Sequence, residues 1–110
     1  MDCVFCKIAA KEIPKNFIHE DERIVAFADI KPAAPVHYLV VPKAHVVSVK
    51  DLTDVDRELV GDMVLVAKHI AADLNLKGYK LVFNVGREGG QIIDHIHLHL
   101  LGGWEKGVDQ

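Results

Sequence analysis

The chain is poor in the features that mark membrane, fibrous or disulfide-stapled proteins. No apolar run is long enough to span a bilayer, so no membrane partner is expected. The start, Met1-Asp2-Cys3-Val4-Phe5-Cys6, lacks the basic stretch and apolar core of a secretory signal, so a cytoplasmic setting is expected. Lysine and arginine never cluster, and with 13 of them against 16 acidic residues the net charge is -3. An extended basic footprint for nucleic acid is therefore not expected, although locally focused positive groups can still hold a small polyanion. There are only two cysteines, three positions apart. In a reducing compartment that pair suits metal binding or redox chemistry better than a structural disulfide. Repeats, low-complexity tracts and Gly/Ser linkers are missing too, so the 110 residues, half of them hydrophobic, are expected to form a single domain around one core.

What is present alternates between strand and helix patterns. A short apolar helical turn through Ile8-Ala9-Ala10 ends before Pro14, and Phe17-Ile18-His19 is extended. Ile24 to Ile30 and Tyr38 to Val41 have strand composition, joined by the stiff Lys31-Pro32-Ala33-Ala34-Pro35 connection, which cannot pair in a ladder. Asp54 is placed to cap a long helix to about Leu76, with apolar positions from Val55 through Met63, Ala67 and Ile70 to Leu74, stopped by Lys77-Gly78. Tyr79 to Val85 is a further strand, followed by a glycine-rich turn and a closing strand. The order predicts an α+β fold: an antiparallel five-stranded sheet with one main helix and a short amino-terminal helix.

The closing segment carries the strongest signal. His95-Ile96-His97-Leu98-His99-Leu100-Leu101 sets three imidazoles at alternate positions. On a strand they share one face, roughly 6 to 7 Å apart, while Ile96, Leu98 and Leu100 bury the other. A helix would scatter them. Just before it, Gly86-Arg87-Glu88-Gly89-Gly90-Gln91 offers a turn where backbone N-H groups can approach an anion without Cβ atoms in the way, and Asn84 can add a side-chain donor. Imidazole titrates near neutrality, so one ring can attack phosphorus while neighbours donate to phosphate oxygens. Spacing alone suits two ligands of a catalytic zinc equally well.

Taken with Gly89-Gly90-Gln91, Asp29-Ile30-Lys31-Pro32, His37-Tyr38-Leu39-Val40-Val41-Pro42-Lys43 and Phe5-Cys6-Lys7-Ile8, the histidine segment resembles the signature of the histidine triad (HIT) family, and its Hint branch in particular. The resemblance covers nearly the whole chain. It implies a HIT-like fold and a hydrolase of purine nucleoside phosphoramidates, acting through a nucleotidyl-histidine, usually as a homodimer with a continuous sheet. Its catalytic set is His97 as nucleophile, His99 on the phosphate, His37 behind the triad and His95. Nucleotide contacts carried over are Val4, Phe5, Ile8, Phe27, Asp29, Ile30, Asn84, Gly90, Gln91 and Ile92, together with His97 and His99; Asp29 takes the ribose hydroxyls. Some relatives complete a Cys-x-x-Cys pair with two histidines, which here implies a structural Zn²⁺ held by Cys3, Cys6, His45 and His95, with no metal needed in catalysis. A dinucleoside polyphosphate hydrolase and a non-catalytic nucleotide-binding scaffold are the alternatives.

Two positions depart from the pattern. Ile92 stands where relatives often have a polar residue beside the leaving group, leaving only its backbone N-H, and Asp94 stands where an aromatic residue is common. His19 and His69 are read as surface residues, and Arg87 and Lys43 as solvated loop charges that can reach phosphate.

Overall fold

The computed structural model describes residues 3–107. Helix α1 (Val4–Ala9) is followed by strands β1 (Phe17–Glu20), β2 (Ile24–Ala28) and β3 (Val36–Pro42). Helix α2 (Arg57–Asp73) precedes β4 (Tyr79–Val82) and β5 (Leu98–Gly102). The five strands form one antiparallel sheet in the order β1-β2-β3-β5-β4, with α2 on one face and the short α1 on the other. The expected α+β architecture is therefore present.

Alternation along the central strands assigns each residue to a layer. Ile24 and Ala26 of β2, Val40 of β3 and Leu98 and Leu100 of β5 pack with Met63, Val66, Ala67, Ile70 and Ala71 of α2. The intervening Val25, Phe27, Leu39 and Val41 pack with Cys3, Phe5 and Ile8 of the amino-terminal segment. Because the side-chain period of a strand is two, burying Leu98 and Leu100 against α2 turns His99 to the α1 face, and the same logic turns His37 there from β3. Leu100 has no exposed surface. Leu100→Ala is expected to destabilise the fold by about 2–5 kcal/mol, read as a lower midpoint in chemical denaturation.

Several boundaries differ from the sequence reading, each for a local reason. The histidine segment is only partly strand: β5 begins at Leu98, so His95 and His97 lie in the extended approach to it. The register that pairs Val40 with Leu98 would pair Pro42 with Ile96, and proline has no N-H to give. Ile96 instead donates its N-H to the Val46 carbonyl at 2.6 Å. Strand β2 stops at Ala28 because the Asp29 carboxylate accepts the Lys31 N-H at 2.9 Å and turns the chain. Strand β4 ends at Val82, after which the chain carries Asn84 toward His99.

Asp54 does not cap α2. The carboxylate that accepts the Thr53 N-H, at 2.9 Å, belongs to Asp56, and a single 3-10 turn at Asp54–Asp56 leads into the helix. Val55 is 89% exposed rather than core. The helix ends at Asp73, ahead of Lys77-Gly78, because Asn75 takes the left-handed conformation (φ 57°) and Leu76 closes the end by donating to the Ala71 carbonyl at 2.9 Å. None of the described helices is long and apolar enough to cross a membrane.

Candidate active site and metal-binding cluster

Three histidines meet at the middle of the sheet on the α1 face. His37 comes from β3, His99 from β5, and His97 from the approach to β5; the His97 and His99 rings lie 4.9 Å apart and the His37 and His99 rings 5.1 Å apart. Their hydrogen bonds determine where the protons sit. A carbonyl oxygen only accepts, so the 2.7 Å contact between His97 Nδ1 and the His95 carbonyl places a proton on Nδ1, and the neutral ring keeps its lone pair on Nε2. The Ala33 N-H donates to His37 Nδ1 at 3.0 Å, so the neutral His37 ring carries its proton on Nε2. That N-H donates to His99 Nδ1 at 2.8 Å, which leaves His99 protonated on Nε2. One ring thus offers a lone pair and its neighbour offers a donor.

Burial keeps both neutral at physiological pH. It pushes His97 below the ordinary imidazole range, against the His95 carbonyl, which favours the charged form. Burial, with the like charges of His97 and His37 added, lowers His99 to about 4. An unfolded histidine titrates near 6.5, so the native state refuses a proton that the unfolded chain accepts. The stabilisation from His99 is present above pH 6.5 and is lost as pH falls from there through about 4. Unfolding free energies from urea titration are expected to fall across that window by on the order of 1–2 kcal/mol more in wild type than in His99→Asn, the effect being reduced by solvent screening of a half-buried ring.

Asn84 and the glycine loop border His99. Asn84 Nδ2 lies 3.5 Å from His99 Nε2, so that with His99 protonated there two donors stand side by side, and a Cβ on Gly90 would stand 3.9 Å from Asn84 Cγ. Gly86 and Gly90 hold φ of 70° and 89°, conformations that require glycine, and they flank a 3-10 turn at Arg87–Gly89. Gln91, expected as a nucleotide contact, holds the loop with its side chain. Its side chain is buried, accepting the Gly86 N-H at 2.9 Å and donating to the carbonyls of Val47 and Ile93, so it fastens the loop. Arg87 does not reach for phosphate; it donates to the Gln91 carbonyl and pairs with Asp94, which explains the charge at position 94. Lys43 pairs with Glu20, and His19 has a partner in Asp21 at 2.6 Å. Ile92 is 80% exposed.

Of the apolar residues expected around a base, Phe5, Ile8 and Phe27 are buried together, with the rings of Phe5 and Phe27 5.7 Å apart and Phe5 edge-on to His97 at 5.0 Å. Val4 and Ile30 are exposed beside them. Asp29, at the end of β2, lies with one carboxylate oxygen 3.4 Å from His37 Nε2.

His95 is separate from the transfer pair. It is fully buried, and its Nε2 donates to the Pro42 carbonyl at 2.7 Å, so its lone pair sits on Nδ1. Both ring nitrogens are thereby committed away from His97 and His99, and the residue meets His97 through its backbone carbonyl. Its Nδ1 meets Cys3 Sγ at 3.3 Å, Cys6 Sγ at 3.5 Å and His45 Nδ1 at 3.2 Å, and Cys6 Sγ lies 3.2 Å from His45 Nδ1. A tetrahedral zinc with ordinary bond lengths would set N···N edges of about 3.3 Å and N···S edges of about 3.6 Å. The donor set fits. Burial and the neighbouring Cys3 push the Cys6 thiol up.

Three groups that matter here were invisible in the sequence: the Ala33 N-H, the Pro42 carbonyl and the Val46–Val47 backbone that holds the loop. Backbone groups carry no sequence signal. Arg87 and Asp94 did carry one, as opposite charges flanking a tight loop.

The five-stranded antiparallel sheet carries an imidazole cluster on its α1 face, bordered by a glycine loop, the arrangement expected from the histidine segment. The chain belongs to the histidine triad family. A family model described as "Scavenger mRNA decapping enzyme C-term binding" matches residues 2–107. The chain is 44% identical over 92% of its length to Protein HitA of Neisseria gonorrhoeae, covering 95% of that protein. It is similar to the structure of a HIT family hydrolase from Legionella pneumophila Philadelphia 1, with TM-score 0.92 and 49% identity, covering 94% of this chain and 95% of that one. It is also similar to a Zn-bound histidine triad family protein from Mycobacterium smegmatis, with TM-score 0.84 and 34% identity, covering 96% of this chain and 77% of that one.

Proposed function

We propose that this chain is a single-domain member of the Hint branch that hydrolyses purine nucleoside 5′-phosphoramidates through a nucleotidyl-histidine. The observation that carries the reading is the complementary protonation of His97 and His99. His97 Nε2 attacks the α-phosphorus, a P-N bond forms to the ring, and the P-N bond to the leaving amine breaks, the amine taking its proton from solvent. His99 Nε2-H and the N-H groups of the glycine loop hold the charge on the non-bridging oxygens. Water then attacks phosphorus, the bond to His97 breaks, and the nucleoside monophosphate leaves. Phe5, Ile8 and Phe27, with exposed Val4 and Ile30, form an apolar seat for a purine, and Asp29 takes the ribose hydroxyls. Asn84, Gly90 and the Ile92 N-H complete the phosphate side.

Cys3, Cys6, His45 and His95 hold a structural Zn²⁺ in this reading. When bound, the metal supplies cohesion, tying the segment before α1 to the approach of β5, and no transfer step runs through it. The HIT hydrolase and Zn-bound neighbours support these two parts. A homodimer through the free edge of β4 is part of the same reading; Tyr79 and Leu81 are each 36% exposed there, and Val64 and Leu65 of α2 are exposed as well.

The test is release of AMP from adenosine 5′-phosphoramidate by the purified protein. Steady turnover without added metal supports the reading. Tight AMP binding with no turnover rejects it in favour of a nucleotide-binding scaffold.

A further inference from the structure

Asp29, His37 and His99 bring three potential ligand atoms within 4.8 Å of one another, beside the Cys/His cluster a second such group among the described residues. Their protons argue against a cation there. A metal on His37 Nε2 would need its lone pair on that atom and a proton on Nδ1, facing the Ala33 N-H. The group is instead a chain of directed hydrogen bonds, and the question is what holds its direction.

Two groups do so, one on each side of His37. On the Nδ1 side stands the Ala33 N-H. On the Nε2 side stands Asp29, whose own position is restrained twice: one carboxylate oxygen accepts the Lys31 N-H at 2.9 Å, and its backbone N-H donates to the His37 carbonyl at 3.0 Å. The other oxygen is left 3.4 Å from His37 Nε2, beside a side chain that is only 5% exposed. A donor at Nδ1 and an anion at Nε2 both select the same form of the ring.

We propose that Asp29 is a positioning residue for the transfer step, acting through His37 to keep the proton of His99 on Nε2, in addition to its contact with ribose. This rests on the hydrolase reading above. The carboxylate that binds the sugar also lies against the ring that orients the phosphate donor, so sugar recognition and donor geometry share one side chain.

The two roles separate by substrate. Adenosine 5′-phosphoramidate and its 2′,3′-dideoxy analogue are compared in wild type and Asp29→Asn, which keeps the shape and removes the charge. Loss of the hydroxyls removes the ribose contact in both proteins. The expected result is that Asp29→Asn still lowers kcat at least about tenfold on the dideoxy substrate, with KM little changed; a carboxylate that fixes a histidine tautomer in other hydrolases is worth more than this. Equal kcat for the two proteins on the dideoxy substrate would overturn the proposal, because the carboxylate would then serve the sugar alone. A second readout needs no turnover: ¹⁵N NMR of the ring nitrogens in the nucleotide-free protein. His99 is expected to be the Nε2-H form in wild type and a mixture in Asp29→Asn. Identical ring-nitrogen shifts in both proteins would overturn the proposal. A tautomer change in a protein that turns over neither substrate would support the positioning role and reject the hydrolase reading.

Discussion

His97→Ala is expected to lower kcat for adenosine 5′-phosphoramidate by at least about a thousandfold while AMP affinity stays within a few-fold. His97 is the ring whose proton is committed to the His95 carbonyl, so it is the ring with an available Nε2 lone pair beside a donor of fixed direction. His37 donates from Nε2, and His95 directs its lone pair at Cys3, Cys6 and His45. No other ring of the group can take over the attack without reversing a hydrogen bond. Removing a covalent nucleophile abolishes both half-reactions, whereas removing a phosphate contact weakens each. His97 is 8% exposed and packs edge-on to Phe5, so the alanine variant also leaves a small cavity. Retained AMP binding separates lost chemistry from lost fold, and an equal fall in binding and turnover would mean the latter.

Removal of zinc is expected to have a large effect on stability. One zinc per chain should accompany the protein through purification, and Cys3→Ser should reduce it to well below one. A metal held there would join Cys3 and Cys6 to His45, just past β3, and His95, ahead of β5, segments far apart in sequence. Losing it would leave two thiols and two imidazoles packed within 3.5 Å with no common partner. Zinc-dependent peptides owe their whole fold to such a site; here two apolar layers also contribute to the fold. A loss of about 3 kcal/mol is expected, on the order of 10–20 °C in Tm for a domain of this size. A smaller kinetic loss, about tenfold, should follow, because the His95 carbonyl orients His97. Unchanged zinc content and Tm in Cys3→Ser would remove the metal from the account, and leave the Cys pair as filling for the layer around Phe5 and Phe27.

The alternation of histidine and aliphatic residues placed Leu98 and Leu100 in the core and His99 on the opposite face, because strand periodicity depends only on the chain itself. It overstated the strand, since β5 loses its partner where β3 reaches Pro42, a tertiary fact. That same end of pairing releases His95 to turn toward the cysteines and His97 to fold back on the His95 carbonyl. The sequence therefore named the residues of the site but not their division into a transfer pair and a metal cluster; only the resemblance to known relatives did that. Asp54 offers an acceptable cap by residue type, but the chain enters α2 through a 3-10 turn that starts at Thr53, whose N-H the Asp56 carboxylate accepts, and helical spacing alone reveals neither this nor the exposure of Val55. Gln91 looked like a ligand because it follows two glycines in a phosphate-type loop. Its amide is spent on the loop itself, and nothing short of the folded backbone reveals that.

The most direct test of the account is to quench wild type in alkali during steady turnover of adenosine 5′-phosphoramidate and to locate the nucleotide by peptide mass spectrometry. A nucleotidyl group on His97, absent in His97→Ala, is the expected result. Steady AMP release with no covalent nucleotide at any time, and inversion at a chiral phosphorus, would mean that water attacks directly, and the assignment of His97 as nucleophile would be wrong.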